Sequence, residues 1–161
     1  MPASSRLPDL GRRGEGWFVV QLLLMAAVVA TAFTGVYWPH RLEGVLTILG
    51  LISAAFGVAL LLVAAISLGA SLTVMPKPPE RGDLVQHGVY RAVRHPVYGA
   101  VLLMALGWSL VESPLGLIPT ALLAVLFDLK ARVEEAWLEE RYPEYAAYRQ
   151  TTPCRFVPGL Y

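Results

Sequence analysis

The 161-residue sequence predicts an all-α, polytopic membrane protein: about four transmembrane helices, with a helical hairpin and a cytoplasmic C-terminal helical segment. Three observations predict it. The chain is 56% hydrophobic and 16% charged, against about 25% charged in soluble domains. Its apolar residues come in long charge-free runs rather than in short alternating ones. Its basic residues fall almost wholly into three polar segments, the N-terminus, a central loop and the C-terminal region, rather than into the runs.

The first run, Trp17 to Trp38, has 22 residues without charge, enough for the roughly 20 that cross a hydrocarbon core. A signal peptide is the competing reading, since Arg12 and Arg13 precede a run containing Ala30-Thr31-Ala32. The run continues beyond that point and further spans follow, which favours a retained helix. The second run, Gly44 to Pro76, has 33 uncharged residues, is long enough to tilt, and is expected to stop at Pro76, Pro78 and Pro79. The third, Val97 to Phe127, is broken only by Glu112-Ser113-Pro114 and reads as a tight helical hairpin. Its arms are short for spans. They are expected to borrow flanking residues, with Lys130 and Arg132 snorkelling, and a re-entrant hairpin is the alternative. A polar helical stretch then reaches Arg149, followed by a tail with Pro and Gly. The whole is expected to form one domain: residues 1–16 as a cytoplasmic N-terminus, 17–76 as two N-terminal spans and 77–158 as a cofactor-binding core.

Four spans put the N-terminus, the central loop and the C-terminus on one side. Twelve of the 13 basic residues then share that side, leaving only Arg41 opposite. The positive-inside rule makes the rich side cytoplasmic, in an inner or cell membrane. A net charge of +1 without a basic stripe argues against a nucleic-acid partner. The single Cys154 excludes an internal disulfide and a multi-cysteine metal site, and no metal is expected. No Gly-rich strand-to-helix turn exists, and no chain is left over for a parallel sheet, so a soluble Rossmann-type enzyme is excluded. The first two runs carry no charge, which speaks against a small transporter.

Chemistry is expected where polar groups crowd the cytoplasmic face. Arg94-His95-Pro96 enters one arm of the hairpin, and Glu134-Glu135 leaves the other, so the turn brings them face to face. Arg94 could grip a carboxylate and His95 donate to it. Pro96 suits a first helical position whose neighbouring N–H groups favour an anion. The glutamates could accept from an ammonium or a sugar diol, and Tyr90 and Tyr98 could offer ring faces to a sulfonium. S-adenosylmethionine has all of these groups.

Simpler readings exist for each. Arg94 and His95 could be interfacial anchors; the glutamates could be a solvated helix face paired with Lys130 or Arg132. Tyr142, Tyr145 and Tyr148, every third residue, read best as an interfacial aromatic belt. Cys154 reads as a bystander, His40 and His87 carry weak signals, and Gly50, Gly57 and Gly69 permit close helix approach.

Gly88-Val89-Tyr90, Arg94-His95-Pro96-Val97-Tyr98-Gly99, Glu134-Glu135 with Leu138, and Tyr142-Pro143-Glu144-Tyr145 with Tyr148 together resemble the isoprenylcysteine carboxyl methyltransferase superfamily, which includes phospholipid methyltransferases. The resemblance covers residues 81–158. It implies an integral membrane methyltransferase whose cofactor, S-adenosylmethionine, meets Gly88, Tyr90, His95, Pro96, Tyr98, Glu134 and Glu135, with Arg94 and Glu134 as candidate catalytic residues. The implied acceptor is a lipid-like or apolar small molecule carrying a carboxylate, amine or thiol, with membrane lipid around it. Val89 replaces the proline frequent in the family, and the chain lacks the extra N-terminal helices of the eukaryotic enzymes, which weakens the case for a prenyl-protein substrate. A non-catalytic scaffold or subunit is the other reading, and a homo-oligomer stays open.

Overall fold

A computed structural model describes residues 10–11, 14–73, 75, 77 and 82–159. Helix α1 (Glu15–Ala30) begins after Gly14, whose φ of 79° lets the chain turn into the helix. A 3-10 turn, Thr31–Phe33, closes it. The hydroxyls of Thr31 and Thr34 fold back onto the carbonyls of Val28 and Thr31, so the helix ends before the expected Trp38. Residues 34–39 instead form a connector, pinned where Trp38 Nε1 donates to the Ser109 carbonyl at 3.1 Å.

Helix α2 (His40–Leu68) starts directly after Pro39, earlier than expected. Its end also corrects the sequence reading. Gly69, at φ 51°, breaks the helix into a 3-10 turn, Gly69–Ser71, before any proline is reached. Pro76, Pro78 and Pro79 lie outside the described residues.

The hairpin is present: α3 (Pro96–Glu112), a 3-10 turn at Pro114–Gly116, and α4 (Leu117–Arg141). Ser113 caps the turn by accepting from the Leu115 N–H at 3.3 Å. Three helical segments are long and apolar enough to cross a membrane: Glu15–Phe33, His40–Ser71 and Pro114–Arg141. Only α3 is short, its 17 residues reaching about 26 Å against a core of about 30 Å. A break in the helix at Tyr142-Pro143, where Tyr142 turns extended, separates α4 from α5 (Tyr145–Thr151). No strand occurs among the described residues.

The chain is thus an all-helical, polytopic membrane protein. Helices α2 and α3 pack backbone to backbone. A Cβ on Gly57 would lie 2.8 Å from the Ala100 carbonyl oxygen, and one on Gly107 would lie 2.6 Å from that of Gly50. Of the three glycines noted on this helix, Gly50 and Gly57 therefore close an internal seam, whereas Gly69 faces open space and serves only as the helix stop. Helix α1 lies along α4, and Trp17, Val28, Ala105, Leu123, Leu126 and Phe127 bury a shared core. Large apolar side chains of α2, including Ile48, Ile52, Phe56 and Ile66, point outward, as a lipid-facing helix requires.

Lys130 does not snorkel. It is 1% exposed, its ammonium donates to Gln21 Oε1 on α1 at 2.7 Å, and it stands 5.2 Å from the centre of the Tyr98 ring. The two ends of the bundle differ. Connectors 34–39 and 113–116 meet at one end, where Ser113 donates to the Val36 carbonyl. Residues 69–73, 82–95 and 142–159 gather at the other.

Candidate functional site

At that second end, five segments line a cleft of two overlapping lobes that opens to solvent. Its outer wall is the stretch that leaves α2 early: Leu68, Ser71, Leu72 and Thr73. Ser71 Oγ is bonded to both the N–H and the carbonyl of Asp83, at 3.0 and 3.1 Å, and so holds the 83–85 segment alongside. Tyr148 donates to the Tyr90 carbonyl at 2.6 Å, and Tyr142 donates to the Gly82 carbonyl. These two bonds fasten α5 and the α4–α5 break to the loop that the sequence reading treated separately.

The hairpin brings the two motifs into contact. Arg94 Nε donates to Glu135 Oε1 at 2.9 Å, and His95 Nε2 lies 3.2 Å from the same oxygen. Tyr98 donates to Glu134 Oε2 at 2.6 Å, and His95 Nδ1 is 3.7 Å from that oxygen. Tyr98 is sandwiched between His95 and Phe127, with ring centroids 5.4 and 4.7 Å away and rings nearly parallel.

The two glutamates are in different situations. The Glu135 side chain is 5% exposed and also meets the Arg155 guanidinium at 3.2 Å. The Glu134 side chain is 24% exposed and lines both lobes. Glu135 thus accepts from buried and half-buried donors within the wall, whereas the partly open carboxylate of Glu134 faces the cleft.

Tyr90, Arg94, His95, Tyr98 and Glu134 line the cleft. Gly88 does not; its φ of 60° opens the 3-10 turn Gly88–Arg91, tight against Ser67. Pro96 is buried at the first position of α3, and Glu135 sits behind the wall.

Three expectations are corrected. The Arg94 guanidinium does not reach outward for a carboxylate. It is buried, and besides Glu135 it donates to the carbonyls of Thr152 and Pro153, both at 2.6 Å. The N–H groups of Arg94 and His95 are not open to an anion, because they donate to the carbonyls of Cys154 and Arg155 at 3.0 and 2.9 Å. Tyr145 and Tyr148 are buried cleft walls rather than an interfacial belt. Burial pushes the Tyr148 phenol up to about 12 and raises those of Tyr90 and Tyr145 as well, so all three stay neutral. The glutamates are paired across the hairpin, while Arg132 bonds Asp128.

The Tyr145 hydroxyl is buried and finds no hydrogen-bond partner among the described residues, although Tyr145 lines the cleft. Sequence reasoning missed residues 68–73, 83–85 and the tail. The signals available were Ser71 and Thr73 at the end of an otherwise apolar run, and Arg155 within the tail.

Between residues 45 and 145, more than half of its length, the chain matches the phospholipid methyltransferase family. It belongs to that family. The matched region of this phospholipid methyltransferase family member runs from the first turns of α2 to the start of α5, and so takes in every cleft residue named above except Tyr148. The family sits in the superfamily that the motifs resemble, and its methyltransferases generally use S-adenosylmethionine. The chain is also 36% identical over 85 residues to the cobalt-zinc-cadmium resistance protein CzcN of Cupriavidus metallidurans. That alignment takes in 50% of this chain and 38% of CzcN, so the chain spans about two fifths of that relative's length. Among the described residues, no group of three or more His, Cys, Asp or Glu side chains gathers in a way that could hold a metal ion.

Proposed function

We propose that this protein is an S-adenosylmethionine-dependent methyltransferase that acts on a lipid-like or apolar acceptor, with the cleft on the cytoplasmic side of the membrane. The observation that carries the reading is the placement of Glu134. Its carboxylate is aimed by the Tyr98 hydroxyl into a cleft that also holds Asp83, a buried tyrosine hydroxyl and three aromatic rings.

The residues suit the cofactor. Glu134 and Asp83 are acceptors for an ammonium or for ribose hydroxyls. The rings of Tyr90, Tyr145 and Tyr148 give a cation aromatic surroundings. Leu84, Val85 and Leu138 form an apolar patch for a flat base, and the Tyr145 hydroxyl is a donor in search of an acceptor. When bound, the cofactor supplies an electrophilic methyl group on a sulfonium.

The chain's own work is to orient and to exclude water. His95 is held by Glu135 and stacked on Tyr98, so the cleft floor is stiff. The second lobe adds Leu72 and Val97 to Tyr98, an apolar wall beside the membrane-spanning helices that fits an apolar acceptor. Arg94 lines the cleft with its guanidinium turned away towards Glu135 and the tail carbonyls, and so contributes by holding that floor, whereas Glu134 faces the reactants. The cytoplasmic assignment rests on the positive-inside rule: among the described residues, Arg91, Arg94, Arg141, Arg149 and Arg155 belong to the cleft end, and Arg41 to the start of α2.

The test is calorimetric titration of detergent-purified protein with S-adenosylmethionine, comparing wild type with His95→Ala and Glu134→Ala. Saturable wild-type binding, weakened at least about tenfold or 1.4 kcal/mol by either substitution, is expected. Folded wild type that does not bind would refute the reading and favour a scaffold that keeps the family fold.

A further inference from the structure

Residues 152–155 run under the cleft and present four consecutive carbonyls to Arg94 and His95: Thr152 and Pro153 to the guanidinium, Cys154 and Arg155 to the backbone N–H groups. The Arg155 side chain then turns inward. Its guanidinium bonds Asp128 at 2.7 Å and reaches both oxygens of Glu135 at 3.2 and 3.3 Å. Glu135 is the residue that holds His95 Nε2. The next residue, Phe156, lays its ring edge-on to His95 at 6.2 Å.

We propose that Arg155 is a positioning residue for the cleft: anchored by Asp128, it fixes the Glu135 carboxylate, and through that carboxylate it sets the orientation of the His95 imidazole. The geometry leaves Glu135 little choice of rotamer, because Arg94 approaches from the α3 side and Arg155 from the tail. With Arg155 removed, one cation still grips the carboxylate but the second side is open, and the His95 ring loses its fixed acceptor. The consequence for ligand binding rests on reading the cleft as the S-adenosylmethionine site; the consequence for His95 does not.

Two measurements on the full chain in detergent micelles separate these. In protein labelled with 15N-histidine, which has three histidines, Arg155→Met is expected to move the ring signals of His95 while those of His40 and His87 stay, and Arg155→Lys to restore them in part. In calorimetry, Arg155→Met is expected to weaken S-adenosylmethionine binding about tenfold in the wild-type background but less than about twofold in a Glu135→Gln background, because the two act in series. An unmoved His95 signal in Arg155→Met overturns the proposal, as do losses that multiply in the double variant. Should Arg155→Met fail to fold, Asp128→Asn is read in its place, with the same shift of His95 expected and the same null result decisive. Wild type that fails to bind the cofactor overturns the proposed function instead and leaves the histidine spectra to decide this proposal.

Discussion

Replacing each glutamate in turn by alanine should separate holding the site from using it. Glu135 is engaged by two guanidiniums and an imidazole in a buried environment, with its closest partner, Arg94 Nε, at 2.9 Å. Glu135→Ala leaves the Arg94 side chain, 5% exposed, facing an apolar methyl. Removing one member of a buried ion pair costs roughly 3–5 kcal/mol. Arg155 keeps Asp128, which places the expected loss near the lower end, at about 3 kcal/mol. Glu134, by contrast, is within reach of water and gives up one hydrogen bond to a phenol, for about 1 kcal/mol. The two variants should therefore differ by about 2 kcal/mol, a roughly thirtyfold ratio in unfolding constant. Equilibrium unfolding in mixed detergent–SDS micelles measures this directly. S-adenosylmethionine binding should run the other way where the protein is folded, with Glu134→Ala the weaker binder. Equal destabilisation, or a milder effect at Glu135, would refute the division of labour.

Other substitutions probe the frame. Gly57→Leu should cost at least about 1–3 kcal/mol by forcing α2 off the Ala100 carbonyl, whereas Gly44→Ala, with nothing within 4 Å, should be neutral or stabilising by up to about 1 kcal/mol; the same unfolding assay checks both. Gln21→Leu removes one acceptor of the Lys130 ammonium and should cost about 1 kcal/mol, and an unchanged midpoint would show that this bond contributes nothing. Tyr148 titrates at about 12 in the folded state, above the ordinary value of 10.0, so its contribution is complete below pH 10 and is lost as pH climbs towards 12. Tyr148→Phe should therefore unfold at alkaline pH with a shallower pH dependence than wild type, and parallel curves would contradict this.

Hydropathy made the hairpin legible, because Glu112-Ser113-Pro114 is the sole polar interruption of its run and a short turn forces antiparallel packing. The pairing of Arg94-His95 with Glu134-Glu135 followed from that turn. The exit of α2 was not legible: residues 69–73 stay mostly apolar, and what ends the helix is the left-handed backbone of Gly69, which hydropathy does not encode. Lys130 was misread because a charge count places lysines at the membrane edge, while an acceptor it bonds, Gln21, lies 109 residues away. Arg94 was misread for the same reason. Its carbonyl partners are 58 and 59 residues downstream, in a tail where Arg155 was the one signal available. Tyr145 and Tyr148 keep a spacing that suits an interfacial belt, and only the folding of α5 onto the 82–91 loop buries them.

The tail beneath the cleft also bears on how the protein is made. Residues 152–155 are translated after all four long helices, yet they carry the carbonyls that receive the donors of Arg94 and His95. In a nascent chain whose helices are already inserted, the Arg94 guanidinium and two backbone amides thus lack their final acceptors. Assembly has to leave the cleft end open to water until the tail arrives, and the site becomes complete in one late step. Truncation within the tail would be felt first at the motif some 60 residues upstream.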